Sequence, residues 1–166
     1  VPESAPSRRK LAAVCSAAAV VLAVALTVST WVFVHAEGVR RDDIRQAAVV
    51  SFVRSFLTQY TSPDPFNANA YTDRVLALGT GNFAKLYSEK MNEIVVQVAK
   101  AERGMGTVQE LGIESWNDGG SANVVAVTTM TTTMPDGRKI DTGSRWVVTA
   151  IMEGDQWKVS DLIQVL

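Results

Sequence analysis

Residues 122–157 read ANVVAVTTMTTTMPDGRKIDTGSRWVVTAIMEGDQW, with apolar and polar side chains alternating on both sides of a Pro135-Asp136-Gly137 turn. Alternation with a period of two is typical of a β-strand that has one buried face. It predicts two strands, residues 122–134 and residues 144–152. Proline, aspartate and glycine favour a tight turn, so the two strands are expected to form a hairpin.

Two further strands flank this hairpin. Residues 107–116 precede it and end at an Asn-Asp-Gly-Gly turn, and a Glu-Gly-Asp turn at residues 153–155 leads into the last strand. The apolar face of that last strand is expected to consist of Trp157, Val159, Ile163 and Val165. Connections this short join only antiparallel neighbours, because parallel strands need a crossover of about a dozen residues. The sequence therefore predicts a four-stranded antiparallel meander.

The part of the chain before the strands is helical. Apolar residues recur at spacings of three and four in residues 40–60, 68–78 and 83–102, which predicts three amphipathic helices. Pro63 and Pro65 end the first of them, because two prolines in three residues cannot continue a helix. Helices followed by a meander predict an α+β fold, a cone-like domain of three helices packed on a curved four-stranded antiparallel sheet.

An uncharged segment precedes these helices. Residues 11–34 contain no formal charge and would form a helix about 36 Å long, enough to cross a hydrocarbon core of roughly 30 Å. Three basic residues at positions 8–10 come directly before it, which favours a cytoplasmic N-terminus. We therefore expect a single-pass protein of the inner (plasma) membrane: a cytoplasmic basic stub at residues 1–10, a transmembrane helix at residues 11–34 and an extracytoplasmic domain at residues 35–166.

Cleavage of the uncharged segment as a signal peptide is the alternative. Val34-His35-Ala36 offers small residues at the positions that a signal peptidase reads. The segment is, however, much longer than the apolar region of roughly 7 to 15 residues in a signal peptide, which favours a retained anchor. The sequence begins at Val1 rather than at methionine, so the presence of an upstream cytoplasmic tail is left open.

Small residues follow one side of the uncharged segment at helical spacing: Ala12, Ser16, Ala19, Ala23, Thr27 and Thr30. Small side chains let helices approach closely in lipid, so this stripe is a candidate transmembrane packing face. Half of the segment consists of Ala, Ser, Thr or Cys, and such a stripe also arises from composition alone.

The composition argues against several kinds of chemistry. Residues 1–35 hold three of the 16 basic and one of the 17 acidic residues, so the remainder carries 13 basic and 16 acidic groups. Nucleic-acid binding needs a basic face, and we expect no nucleic-acid partner. Cys15 and His35 are the single cysteine and the single histidine, which argues against disulfide frameworks, most hydrolase triads and thiolate or imidazole metal sites. No metal and no cofactor are expected.

One acid–base scheme needs consideration. Asp161 is assigned to the apolar face of the last strand, and Tyr60, Tyr71 and Tyr87 lie in the helices. A carboxylate in an apolar cavity beside a polarising tyrosine would transfer protons. No residue that could act with Asp161 stands at a characteristic spacing from it, so Asp161 is expected near a sheet edge or as a cap of a backbone group. Tyrosines in such helices are typical of a core with solvated hydroxyls. We therefore predict no catalytic residues.

Three stretches resemble the Mce-associated membrane proteins of mycobacteria and related actinobacteria. They are RDDIRQAA at residues 41–48, LGTGNF at residues 78–83 leading to Tyr87, and GDQWKVSDL at residues 154–162. The resemblance spans roughly residues 8–166. It implies an exported domain of the nuclear-transport-factor-2 (NTF2) type, similar to the VirB8 assembly subunits of type IV secretion systems.

The resemblance also implies a function. Mce transporters are ATP-driven machines that carry fatty acids, sterols or other lipids across the mycobacterial envelope, and the family members look like assembly or stabilising subunits. We therefore expect a non-catalytic accessory subunit of a Mce-type lipid transport complex. Its partners would be the permease, the Mce ring proteins and membrane lipid. Two alternatives stay open: a VirB8-like scaffold of another secretion or envelope complex, and a small lipid-binding or isomerase-like domain with an open cavity.

Overall fold

The computed structural model describes the backbone of residues 8–165, and the side chains in that range other than those of residues 8–15, 17 and 32–39. The chain divides into two compact units, Val1–Arg45 and Gln46–Leu166. In the described part of the chain, no helix is both long enough and apolar enough to cross a membrane. The predicted transmembrane segment lies partly on residues outside the described side chains, and most of the predicted basic stub lies outside the described residues.

Helices come first and strands second, as predicted. The helical elements are α1 (Arg8–Tyr60), a short 3-10 helix (Pro65–Asn67), α2 (Ala68–Ala77), α3 (Gly81–Glu89) and α4 (Met91–Lys100). The strands are β1 (Gly104–Trp116), β2 (Ala122–Thr133), β3 (Lys139–Glu153) and β4 (Gln156–Val165). They form one antiparallel sheet in the order β1-β2-β3-β4. The α+β class and the four-stranded meander are therefore confirmed.

The helical part differs from the prediction in two places. α1 is one continuous helix, so the helix expected at residues 40–60 is its last part. The helix expected at residues 83–102 is two helices that meet at Lys90, whose backbone (φ −101°, ψ 7°) leaves helical geometry. α3 packs against β4, whereas α4 packs against α2 and the 3-10 helix. Because the apolar faces of α3 and α4 contact different elements, a single straight helix over these residues could not bury both faces.

A β-bulge interrupts β4. Val159 pairs with Ala150, and Asp161 pairs with Thr149, so Ser160 is an extra residue between two regular pairs. A bulge of this kind inserts one residue into one strand and leaves its partner strand regular. Every side chain after Ser160 therefore lies on the opposite face from the one that strict alternation predicts.

This bulge corrects the predicted apolar face of the last strand. Trp157 and Val159 are buried beneath the helices, as expected. Ile163 and Val165 are exposed and lie, together with Asp161, on the face of the sheet away from the helices. The prediction that these apolar residues share one face is wrong, because a sequence pattern does not reveal where an extra residue is inserted.

The helices cover one face of the sheet, which we call the inner face, and the other is the outer face. Val124, Val148 and Val159 are fully buried on the inner face. The helices contribute Val49, Val53, Leu57 and Val75, which are also fully buried. These side chains belong to a single hydrophobic core.

Candidate functional site

Aromatic rings fill the space between the helices and the inner face. Phe56 is 1% exposed, and its ring centroid lies 5.7 Å from that of Tyr60 and 5.6 Å from that of Phe83. Tyr60 meets Trp146 edge to face at 5.5 Å, and Tyr87 lies 5.4 Å from Phe83. A ligand bound between the helices and the sheet would have to displace these rings.

Tyr60, Tyr71 and Tyr87 all stay neutral near pH 7. Burial raises the pKa of Tyr60, Tyr71 and Tyr87, and neighbouring tyrosines raise the pKa of Tyr71 and Tyr87 further. The Tyr71 hydroxyl donates a hydrogen bond of 2.6 Å to the backbone oxygen of Tyr60. The Tyr87 hydroxyl is buried and has no hydrogen-bond partner among the described residues. Neutral phenols of this kind do not serve as proton-accepting bases near pH 7.

Asp161 lies on the outer face of β4, which is an edge strand of the sheet, so the first turn of α3 can still reach it. Its Oδ1 atom accepts a hydrogen bond of 3.1 Å from Nδ2 of Asn82. The bulge at Ser160 places it there, so the assignment of Asp161 to the apolar face is wrong. The acid–base arrangement considered from the sequence is not assembled in this fold.

Two of the three stretches that carry the family resemblance contact each other. The Thr80 amide donates to the Val159 oxygen at 2.8 Å, and the Val159 amide donates to the Leu78 oxygen at 2.9 Å. Nζ of Lys158 donates to the Ala77 oxygen at 2.7 Å. Together with the Asn82–Asp161 bond, these contacts fix the turn between α2 and α3 to β4. The residues that support the resemblance therefore have a structural role.

The small-residue stripe belongs to the unit Val1–Arg45. Its described members are all exposed: Ser16, Ala19, Ala23, Thr27 and Thr30. The two threonine hydroxyls donate to backbone oxygens of the same helix, at 2.8 Å and 2.7 Å. Internal bonds of this kind satisfy polar groups on a helix surrounded by lipid. The side chain of Ala12 lies outside the described set, and the packing face stays a prediction.

The outer face carries an apolar patch that the sequence did not single out. This outer-face patch consists of Val125, Val127, Val147, Ile163 and Val165. Four of its five side chains are 39% to 54% exposed. A contiguous exposed apolar patch is a feature of surfaces that bind other molecules.

A groove lies over the patch. Its volume is about 480 Å³, and Gly112 lines it next to Val125. A Cβ atom added to Gly112 would meet nothing within 4 Å. Glu110 and Arg145 border the groove, and both are exposed. The patch is a candidate interaction site with an apolar centre and one charge of each sign.

A signal for this patch was present in the sequence. Val124 and Val125, and likewise Val147 and Val148, are adjacent pairs, so each pair places one valine on either face of its strand. Adjacent apolar residues break the strict alternation of a sheet with a solvated face.

No group of three or more His, Cys, Asp or Glu side chains in the described part of the chain could hold a metal ion.

Solved structures share this arrangement of helices and sheet. CagV, a VirB8 homolog of a type IV secretion system from Helicobacter pylori strain 26695, is 13% identical with a TM-score of 0.59, over 71% of this chain and 96% of that chain. The periplasmic domain of DotI is 11% identical with a TM-score of 0.58, over 72% and 94%. A periplasmic fragment of TraM is 10% identical with a TM-score of 0.56, over 72% and 96%. Identities this low show the fold alone.

The fold is thus that of the VirB8-like and NTF2-like domains. The chain belongs to the family described as "Uncharacterized protein Rv1363c/MT1408-like", which matches residues 11–165 and is a mycobacterial family. No curated protein matches the chain.

Proposed function

We propose that this chain is a non-catalytic accessory subunit of a Mce-type lipid transport complex. In this proposal residues 11–34 anchor it in the plasma membrane as a single span, with the N-terminus in the cytoplasm. The domain that follows lies outside the cytoplasm and binds proteins of the complex. The anchor rests on the 24 uncharged residues and on the basic residues before them.

One observation carries the proposal: the interior of the domain is occupied, while an apolar patch faces outward. Enzymes and carriers of small molecules bind their ligands in concave pockets, commonly of about 300 to 1,000 Å³. Here the rings of Phe56, Tyr60, Phe83 and Trp146 occupy the space where such a pocket would lie. The outer-face patch instead offers an apolar surface with charged borders, as protein interfaces do.

The Mce complex is named as partner on the resemblance of the three stretches and on membership of a mycobacterial family. Contacts to the permease and to the Mce ring proteins would come from the transmembrane helix and from the exported domain. Ala19 and Ala23 are at the centre of the small-residue stripe, where a neighbouring helix could pack closely.

A VirB8-like scaffold of another secretion or envelope complex is the second candidate. It is favoured by the likeness to CagV, which is described as a VirB8 homolog of a type IV secretion system. This candidate shares the fold and the anchor with the first and differs in the partner alone. The lipid-binding or isomerase-like alternative needs an open cavity and is the least favoured, because aromatic rings occupy the interior.

Deleting the gene in its native cell should lower the amounts of the Mce proteins of one transporter several-fold. Membrane subunits that lose a stabilising partner spend more time unassembled and are removed by proteases. Quantitative mass spectrometry of isolated membranes measures the effect. The full chain should restore the amounts, whereas the domain exported behind a cleavable signal peptide should not. Unchanged Mce protein levels in the deletion strain would contradict the proposal.

The same complementation tests the packing face. A chain carrying Ala19→Leu and Ala23→Leu should restore the Mce proteins poorly, because the larger side chains prevent close helix packing. Ala18→Leu with Ala25→Leu is the matched control, since both alanines lie on the other side of the helix at about 100° per residue. If the two double variants restored the Mce proteins to the same amounts, the stripe would reflect the composition of the segment and would not be a packing face.

A further inference from the structure

We propose that the last part of β4 binds an extended segment of another protein, which adds to the edge of the sheet as a further strand. This part consists of Leu162, Ile163, Gln164 and Val165, and we call it the β4 edge. The inference goes beyond the proposed accessory role and holds for any partner protein, whether or not it belongs to a Mce complex. It rests on which backbone groups of the sheet lack a hydrogen bond.

The other edge of the sheet, that of β1, is blocked. The Gly106 amide donates a hydrogen bond of 2.8 Å to Oγ of Ser62. The Val108 oxygen accepts a hydrogen bond of 3.2 Å from a guanidinium nitrogen of Arg54. Register shifts follow Val108 and Ile113, so the strand is also irregular. Occupied backbone groups and bulges of this kind keep a further strand from pairing with an edge.

The first part of β4 already pairs with a short segment of this chain. The Val159 amide donates to the Leu78 oxygen at 2.9 Å, and the Thr80 amide donates to the Val159 oxygen at 2.8 Å. Gly79, between these two residues, forms a parallel bridge with Val159. This side of β4 therefore accepts the backbone of another segment. The pairing stops where α3 begins, at Gly81.

The β4 edge leaves two amides and two carbonyls unpaired. In an antiparallel ladder, residue pairs that exchange hydrogen bonds alternate with pairs that do not. Val159 bonds to the turn between α2 and α3, so its pair on β3 is of the second kind. The next pair, Asp161 with Thr149, is of the first kind, and the backbone groups of Leu162 and Gln164 therefore point away from β3. Outside the ladder, no described residue makes a backbone hydrogen bond to either of them.

The sequence of the β4 edge lacks the residues that keep strands apart. Natural sheets protect an exposed edge with charged side chains, especially lysine, or with proline. Residues 162–165 read LIQV and contain neither a charge nor a proline. The side chains of Ile163 and Val165 are 54% and 44% exposed, and Gln164 is exposed as well. An open and uncharged edge of this kind is suited to strand addition.

The chemistry of the edge defines its occupant. Unpaired amides and carbonyls bind the backbone of an extended peptide, and alternate side chains give the specificity. On the outer face the added strand would lie beside Ile163 and Val165 and extend the row that Val147 forms with Ile163, so apolar side chains two positions apart fit there. Asp161 precedes the edge on the same face, where a basic residue would complement it. Residues 161–165 of a second copy contain no basic residue, so another protein fits the edge better.

Hydrogen exchange of single backbone amides tests the pairing directly. The full chain is measured alone, made in a foreign host and purified in mild detergent, and again in its native membranes. In the chain alone, the amides of Leu162 and Gln164 should exchange fast, whereas those of Asp161 and Ile163 are bonded to β3 and should exchange slowly. In native membranes both edge amides should exchange at least about tenfold more slowly, because each gains a hydrogen bond.

Two results of this measurement would overturn the proposal. The first is fast exchange of both edge amides in the native membranes as well as in the chain alone. The second is protection of the edge amides in the chain alone that increases with its concentration, because the occupant would then be a second copy. Neither result depends on a substitution, so impaired folding of a variant cannot produce it.

A pair of variants separates the backbone of the edge from its side chain. Gln164→Pro and Gln164→Ala both remove the bond from this side chain to Ser144, but only proline removes the amide that points away from β3. Proline is tolerated on an edge strand in that orientation, so slow exchange of the Ile163 amide should persist and report a folded domain. In native membranes the Leu162 amide should stay protected in Gln164→Ala and exchange at least about tenfold faster in Gln164→Pro. Equal protection in the two variants would refute the pairing.

Cross-linking identifies the occupant. The full chain carrying Ile163→p-benzoylphenylalanine is irradiated in native membranes, and the cross-linked peptide is sequenced by mass spectrometry. It should map to one segment of one other protein, with apolar residues two positions apart. A segment of a protein outside the Mce complex would support this inference while contradicting the proposed function, so the two can fail separately. Cross-links to this chain itself, or to many unrelated proteins, would contradict the inference.

Discussion

Phe56→Ala is expected to destabilise the domain by about 3 to 5 kcal/mol, the usual cost of removing a fully buried phenylalanine. Phe56 is 1% exposed, and its ring lies among those of Phe52, Tyr60 and Phe83. Removing it leaves a cavity between α1 and α3 that the surrounding packed rings fill only in part. A loss of this size is a large share of the about 5 to 15 kcal/mol that stabilises an ordinary domain. Urea unfolding of the full chain, followed by tryptophan fluorescence, measures it.

Phe66→Ala is the matched control for this prediction. Phe66 is 82% exposed in the 3-10 helix, so the same substitution there should change the free energy of unfolding by no more than about 0.5 kcal/mol. The comparison tests whether the interior is packed. If the two variants were equally stable, the aromatic rings would not fill the domain, and a ligand cavity would again be a reasonable explanation.

Gly106→Ala is expected to cost about 3 kcal/mol, although it adds a single methyl group. A Cβ atom at this position would overlap Oγ1 of Thr61 and would lie 2.6 Å from its Cβ and 2.8 Å from its backbone oxygen. Overpacking a filled core commonly costs about 1 to 3 kcal/mol. The value lies at the upper end because two of the contacts are to the Cβ and the backbone oxygen of Thr61, whose amide and hydroxyl both donate to the Leu57 oxygen and hold the residue in place. The same urea unfolding measures it.

Gly112→Ala supplies the comparison in the same strand. Nothing lies within 4 Å of its Cβ position, so the methyl group should be tolerated or slightly stabilising. Thr61→Gly should recover part of the loss caused by Gly106→Ala, because it removes two of the three close contacts. If the alanines at positions 106 and 112 had the same effect, β1 would not approach Thr61 as closely as described.

The sequence predicted the architecture because the strongest patterns were local. Alternation and tight turns predicted the antiparallel meander, and three- and four-residue spacing predicted the helices. Two details depended on tertiary contacts and were missed. The break at Lys90 exists because α3 and α4 pack against different neighbours. The bulge at Ser160 reverses the faces of β4, and no local pattern indicates where a strand takes up an extra residue.

The candidate site was predicted less completely. Tyr71 and Tyr87 are buried, as predicted for core tyrosines, but the Tyr87 hydroxyl is buried too and is not solvated as expected. The bulge takes Asp161 off the apolar face of β4. The outer-face patch was missed because valines from three strands form it, and it becomes visible when the register aligns Val125, Val147 and Ile163. The adjacent valines in β2 and β3 were the available signal.

Whether this chain binds Mce proteins can be measured by purifying the tagged full chain from its native membranes in mild detergent and quantifying the accompanying proteins by mass spectrometry. A chain that acts by binding should bring a permease, its ATPase and Mce ring proteins in fixed ratio. A control purification of the Ala19→Leu and Ala23→Leu double variant should recover less of them. Recovery of this chain without Mce proteins, under conditions that keep a Mce transporter intact, would show that it is not a subunit of such a complex.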